Sequence, residues 1–384
     1  LDVPQPEFMD DEEIAIFADA VGKFYEKHAP EKRVLKWRED GQVDREFWRE
    51  AGEAGLLGAS VPEEYGGHGG DFRHEMVVID QQGQHGVEGF AASLHNTIIL
   101  PYLVRHGTEE QKKKYLPRLV SGDLVSAIAM TEPGVGSDLQ SITTTAIKDG
   151  NGYRINGAKT YISNGQIADF IIVVAKTDPN ERAKGISLML LETDGAEGFQ
   201  RGKKLDKIGL EAQDTSELFF DDVFVPAENV LGGEEGKGFY QLMGELPQER
   251  LIIAMGAMTT IERALEETLA FTKERKAFGK TIWDFQNTQF TLAELKARAT
   301  AAKVFVNHCI AQHLEGKLDV PTACMAKLWL TELQGEVVDK CLQLHGGSGY
   351  INDYPIARMF RDSRVTRIFG GSNEIMKMVI ARSM

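Results

Sequence analysis

The sequence predicts a mainly helical α+β chain in three parts: an N-terminal helical domain over 1–124, a central antiparallel β-barrel over 125–238 and a C-terminal helical bundle over 239–384. Three observations carry this reading. Apolar residues recur at helical spacing near both ends of the chain. β-Branched runs separated by turn dipeptides fill the middle. At 384 residues the chain is long enough for two or three domains around a large core.

In the first third, Ile14, Phe17, Ala18 and Val21, then Phe47, Ala51 and Ala54, keep the helical period. The stretch from Pro62 to Asp71 has four glycines and no period, which suits either a connector or a loop that lets something approach its backbone. Strands are expected over 170–176, 185–192 and 217–225, after the turn signals Asp149-Gly150, Asn151-Gly152 and Asn156-Gly157. Long helices follow over 248–272, 284–315 and 320–344, the first opening after Pro247.

Composition narrows the function. Apolar residues make up 42% and charged residues 26%, ordinary for a globular chain. With 43 basic and 58 acidic residues the net charge is −15, which disfavours nucleic acid or anionic membrane as the main ligand. Cys309, Cys324 and Cys341 have no CxxC spacing, so neither a disulfide framework nor a zinc ribbon fits, no metal site is expected and a reducing compartment suits the chain. Residues 1–13 are acidic where a signal peptide would be basic, and no apolar run approaches membrane-spanning length, so no stable membrane insertion is expected.

Four stretches could carry chemistry. Met130 to Asp138 offers the hydroxyls of Thr131 and Ser137 and the open amides of Gly134 and Gly136 to a phosphate or a polar heterocycle, or is only a turn. It matches neither GxGxxG nor GxxxxGK[ST]. Strand alternation puts Tyr161 and Ser163 on one face, to stack on a flat ligand or to cap a sheet core. Arg275 to Lys280 ends a helix, as a dipole partner or a phosphate clamp. Gln343 to Tyr350 closes another, and Arg358, Arg361, Arg364 and Arg367 follow at three-residue spacing, as an ion-paired face or a ligand face. Beyond them, Ser372 can cap a final helix.

These blocks, in this order, resemble the acyl-CoA dehydrogenases, flavoenzymes that form a trans-2,3 double bond in acyl-CoA thioesters. Met130 to Asp138 is similar to one signature of that family, and Gln343 to Asp362, read as QxxGGxGYxxxYPxxRxxRD, to the second. The resemblance spans the whole chain and implies the three-part fold above with a four-helix C-terminal bundle, FAD as cofactor, and a homotetramer built as a dimer of dimers. Carried over, Met130, Thr131, Ser137, Tyr161 and Ser163 would line FAD, with Ser163 near the reactive flavin nitrogen. Arg275, Phe278, Gln286, Gln343 and Gly347 match positions that hold the adenine half across a subunit interface, and Ser372 and Glu374 match positions near the cofactor. Tyr161 stands where medium-chain members carry tryptophan.

The departure that matters is at the base. Many members read YEGT in the last loop, and its glutamate takes the substrate α-proton; here Phe369 to Ser372 reads FGGS, with Gly370 in that place. Long-chain and isovaleryl members carry the base instead on the first long C-terminal helix, immediately before an arginine, and Glu249 before Arg250 matches. On the pattern alone Glu249 falls in a first helical turn, where a carboxylate usually serves the dipole, with Ile252 and Ile253 on the same apolar face. The resemblance then implies that Glu249 takes the α-proton, hydride passes to flavin N5, the Gly370 amide polarises the thioester carbonyl, and Arg250 organises charge around the base.

The C-terminal third looks most like long-chain members, with a branched short-chain substrate of the isovaleryl kind as the second choice. Gly89 stands where glutaryl-type members carry an arginine, which disfavours a dicarboxylate. An oxidase of the same fold and a non-catalytic protein that binds FAD and acyl-CoA are also compatible with these motifs. An electron-transferring flavoprotein is the implied partner, in the cytoplasm of a bacterium or the mitochondrial matrix of a eukaryote.

Overall fold

The computed structural model describes residues 1–384. Helices α1 (Glu12–His28), α2 (Glu31–Asp40), α3 (Arg45–Glu53) and α4 (Phe72–Gln84) close on a core that includes Trp37, Phe47, Trp48 and Phe90. Side-chain caps from Asp11, Asp44 and Asp71 start α1, α3 and α4. The glycine-rich stretch before α4 is a connector: Gly66 and Gly69 turn left-handed, and a Cβ on Gly67 would lie 2.0 Å from the Val61 carbonyl oxygen. After α4 come α5 (Ala92–Leu94), a π turn at His95–Ile99, α6 (Leu100–His106) and α7 (Glu109–Val120).

The middle of the chain is one curled seven-stranded sheet of β1 (Ser126–Ala129), β2 (Thr145–Asp149), β3 (Gly152–Ser163), β4 (Phe170–Lys176), β5 (Ile186–Glu192), β6 (Phe199–Lys204) and β7 (Thr215–Pro226). Its strand order is β1-β4-β2-β3-β7-β6, with β5 on β4. The unbroken apolar run of β4 is buried on both faces. Phe170, Ile172 and Val174 pack under α6 and α7, whereas Ile171, Val173 and Ala175 face the sheet's own interior. In two pairings the sheet departs from the antiparallel expectation: β1 runs parallel to β4, in register from Ser126–Phe170 to Ala129–Val173, and β2 meets β4 in parallel at Thr145–Lys176. Turn dipeptides specify only local hairpins such as β2–β3, closed at Gly150; the β1–β4 pairing joins strands separated by residues 130–169, with that hairpin between them, and no turn signal reports so distant a partner.

Then come α8 (Gly238–Glu274), the short hairpin β8 (Lys276–Ala277) and β9 (Lys280–Thr281), α9 (Gln286–Leu314), α10 (Val320–His345), α11 (Pro355–Ser363) and α12 (Asn373–Arg382). Leu251, Leu295, Leu330 and Val337 are among the residues that join α8, α9 and α10 in one core. The structure corrects the expected start of α8. The helix begins nine residues before Pro247 and continues through it. Proline fixes a helix-compatible φ and removes one N–H, so the helix survives at the loss of a bond to the Met243 carbonyl.

Candidate active site

One cavity of about 600 Å³ runs between the β1–β3 end of the sheet, α4, the α5–α6 segment, α8 and the 369–371 loop. Met130, Thr131, Ser137, Tyr161 and Ser163 form one wall; Glu249, Arg250, Ile252, Ile253 and Gly370 form another. Of the residues expected at a site, the fold therefore brings eight together. Ser372 and Glu374 do not line the cavity, although Gly371 and Ile375 beside them do; Ser372 instead caps α12 by accepting from the Ile375 N–H. Arg275, Phe278, Gln286, Gln343 and Gly347 lie away from it. Phe278 is 94% exposed and takes a left-handed φ of 52° beside Gly279 at the tip of the β8–β9 hairpin.

The first wall is built on strain and a buried ion pair. Tyr161 has a φ of 59° at a bulge where the β3–β7 register slips between Lys159 and Ile162. Tyr161 and Ser163 thus both reach the cavity, as does Ile162 between them, which simple alternation does not give. Under this wall the fully buried Lys159 donates to Glu132 Oε1 at 3.0 Å and to the Met130 carbonyl at 2.9 Å. Burial alone would raise the Glu132 carboxyl, but Lys159 and the Thr143 and Thr144 donors hold it down at about 2. The pair clamps the 130–132 backbone onto β3. A Cβ on Gly134 or Gly136 would meet nothing within 4 Å, so this loop stands open to a ligand.

Across the cavity, α8 places Glu249 about three turns from its start, rather than in the first turn that the sequence suggested. The carboxylate is buried and accepts from the Tyr102 hydroxyl at 2.9 Å. Burial raises its pKa to about 7; Tyr102 opposes the rise, the neighbouring charge of Glu245 adds to it, and Arg250 opposes it. Glu245 is itself held by Arg105 and by His106, the latter at 3.1 Å. Arg250 is buried, donates from Nη1 to Cys324 Sγ at 3.1 Å and leaves its Nε without a partner, so it brings an unneutralised positive charge to the cavity wall.

Gly370 and Gly371 are both left-handed, at φ 61° and 86°. A Cβ on Gly370 would lie 2.4 Å from Ile253 Cδ1, so Ile253 fills the space a side chain at 370 would need. The Gly370 N–H makes no hydrogen bond within the chain, and Gly370 lines the cavity, which leaves this amide as a donor for a ligand.

Sequence reasoning missed Tyr102, Glu132, Lys159 and Lys327. Glu132 lies inside a stretch singled out for its chemistry and Lys159 two residues before Tyr161, but nothing local shows that they pair. Tyr102 sits in an apolar helix and carries no signal of its own. The four spaced arginines are mostly an ion-paired face: Arg358 meets Glu31 at 2.9 Å, Arg361 meets Glu211, and Arg367 meets Glu332 at 3.3 Å.

Comparison with known proteins agrees with this arrangement along the whole chain. Residues 11–123, 127–223 and 236–384 match the models of the acyl-CoA dehydrogenase N-terminal, middle and C-terminal domains. The mitochondrial long-chain specific acyl-CoA dehydrogenase of Sus scrofa is 48% identical over 371 residues, which cover 96% of this chain and 86% of that one. The mitochondrial isovaleryl-CoA dehydrogenase of Pongo abelii is 38% identical over 367 residues, covering 94% and 86%. A crystal structure of an acyl-CoA dehydrogenase from Geobacillus kaustophilus superposes with a TM-score of 0.94 at 47% identity, covering 97% and 98%. With its three domain models matched in order around a cavity that a buried carboxylate and a glycine with an unbonded amide both line, the chain belongs to the acyl-CoA dehydrogenase family.

Proposed function

We infer that the protein converts long-chain acyl-CoA thioesters to trans-2-enoyl-CoA, with Glu249 as the base. The observation that carries this reading is the buried Glu249 carboxylate sharing a cavity with the free Gly370 N–H. Taking a proton from the carbon next to a thioester requires a base with raised proton affinity and a donor where negative charge develops on the carbonyl oxygen. Burial provides the first at Glu249, and exclusion of water by substrate strengthens it further. The Gly370 N–H provides the second. The unpaired Arg250 guanidinium adds positive charge beside the base.

The hydroxyl-lined wall, its exposed aromatic ring and its open glycine loop fit a flavin. Met130, Thr131, Ser137, Tyr161 and Ser163 would hold the ring system of FAD, and the cofactor, when bound, supplies the acceptor for the hydride leaving the β-carbon. Arg275, Phe278, Gln286, Gln343 and Gly347 would hold the adenine half from a neighbouring copy in a homotetramer, with Ser372 and Glu374 near the cofactor. The exposure of Phe278 supports a covering copy. An electron-transferring flavoprotein is the partner we propose for removing the electrons.

Chain length is read from α8. From Glu249 to Thr260 the cavity follows the helix for about 16 Å, room for roughly a dozen carbons of an extended tail. A Cβ on Gly256 would meet nothing within 4 Å, so this glycine keeps the corridor open, which favours a long tail over an isovaleryl group. A charged tail is disfavoured, because Arg263, one turn beyond Thr260 on α8, already donates to Glu88 at 2.9 Å.

The test is anaerobic titration of the FAD-loaded protein with palmitoyl-CoA and, separately, isovaleryl-CoA. Bleaching of the flavin by palmitoyl-CoA is expected. Bleaching by isovaleryl-CoA alone would move the substrate to branched short chains, and no bleaching by either would overturn the reading. The Glu249→Gln variant should stay yellow and bind acyl-CoA without bleaching; turnover near the parent rate would remove Glu249 as the base.

A further inference from the structure

Lys327 is the other fully buried lysine of the chain besides Lys159, and unlike Lys159 it meets no carboxylate at ion-pair distance. Its Nζ donates to the Gly371 carbonyl at 2.9 Å and to Asn373 Oδ1 at 2.8 Å. Burial, and after it the nearby Arg250 charge, lower its pKa to about 8. An ammonium placed there without a counter-charge is costly, so its position calls for an explanation.

Its ligands suggest one. Gly370 and Gly371 are consecutive glycines with left-handed backbone and no side chains to lock them, and fixing such residues is entropically expensive. The start of α12 does not need the lysine: Ser372 caps it, and the Asn373 amide donates to Thr331 Oγ1 at 3.0 Å and Glu332 Oε1 at 2.7 Å. The Gly371 carbonyl has only Lys327 as a side-chain donor. We propose that Lys327 is a positioning residue which, by gripping the Gly371 carbonyl from α10, fixes the direction of the Gly370 N–H and so sets how strongly the thioester carbonyl is polarised. This rests on the role of Gly370 in the proposed function. A small misdirection of such a donor costs much of its effect, because the donor must already point at the developing charge.

The experiment uses the FAD-loaded Lys327→Met protein and 2,4-hexadecadienoyl-CoA, a conjugated thioester whose absorbance moves to longer wavelength as its carbonyl accepts stronger hydrogen bonds. The variant should bind this probe within about threefold of the parent, show less than about half the parent's red shift, and be reduced by palmitoyl-CoA about 100-fold more slowly. Asn373→Ala, which leaves the Gly371 contact in place, should keep both the shift and the rate near parental. A full red shift in Lys327→Met, or an equal loss in Asn373→Ala, overturns the proposal. If Lys327→Met does not fold, Lys327→Gln is judged by the same criteria; if neither holds FAD, the lysine serves the fold and the proposal falls. A parent protein that no acyl-CoA bleaches would sink the dehydrogenase reading instead, a result distinct from a parent that bleaches and a variant that behaves like it.

Discussion

Glu249 illustrates how one side chain is tuned by neighbours from two helices. Burial and Glu245 push its pKa up, Tyr102 and Arg250 pull it down, and the balance is about 7. In its proposed role as the base Glu249 works deprotonated, so single-turnover flavin reduction should rise with pH through a limb near 7. Tyr102→Phe removes a donor to the carboxylate and should move that limb to higher pH, while Glu245→Gln removes a like charge and should move it lower; stopped-flow reduction across the range checks both signs. Stability follows the same linkage. The folded protein holds this proton more tightly than the unfolded chain, so stability falls as pH rises from about 4.5 to about 7, and Glu249→Gln should gain roughly 2–3 kcal/mol relative to the parent at pH 8 compared with pH 4. Glu132 has the opposite sign. Its lowered pKa gives stability that is present above the ordinary carboxylate range and is lost as pH falls towards about 2. Glu132→Gln strands the buried Lys159 and should cost about 3–5 kcal/mol in denaturant unfolding.

At the scale of elements, α8 and the 369–371 loop are complementary. Ile253 stands one turn beyond Glu249 and occupies the space that a side chain at 370 would need. A buried glutamate at 249 and a bare glycine at 370 are thus accommodated by one packing. Gly370→Ala combines left-handed strain with a clash and should slow flavin reduction by about tenfold to a hundredfold. Ile253→Ala should recover part of that loss, and a double-mutant cycle on the reduction rate measures the coupling. Strict additivity would mean that the two residues do not constrain each other. The periodicity of α9 and α10 was legible in the sequence because apolar spacing is a local property. The start of α8 was not, because Pro247 reads as a helix start when tertiary packing of the preceding turns is unknown.

At the scale of the whole molecule, the cavity exists because three cores meet. The helical core under α8, the core under α6 and α7 and the interior of the sheet each supply a wall. Arg38 on α2 pairs with Glu211 and Asp362, and so ties the N-terminal helices to α11 and to the 205–214 segment, from which Leu210 and Gln213 line the cavity. The corridor along α8 should be testable as a channel. Gly256→Leu should lower kcat/KM for palmitoyl-CoA at least tenfold while leaving butyryl-CoA little changed, and an equal loss for both would refute its role in chain-length selection. Phe278→Asp should weaken both the assembly, seen by light scattering, and FAD retention, if a neighbouring copy covers that hairpin.

The sequence by itself determined the helical ends and the stranded middle, the family signatures, the glycine at 370 and the glutamate before Arg250, since each is a local pattern or a residue identity. It also located the cavity wall from Met130 to Ser163, because that wall is made from two contiguous stretches. Only the tertiary structure decided that Tyr102 holds Glu249, that Lys159 clamps Glu132, that Lys327 grips Gly371 and that Ile253 covers Gly370. Those partners are separated by 147, 27, 44 and 117 positions. Their energies come from burial and hydrogen-bond distance, and no spacing rule along a single chain reports which distant residues the packing of α6, α8 and α10 will bring within reach.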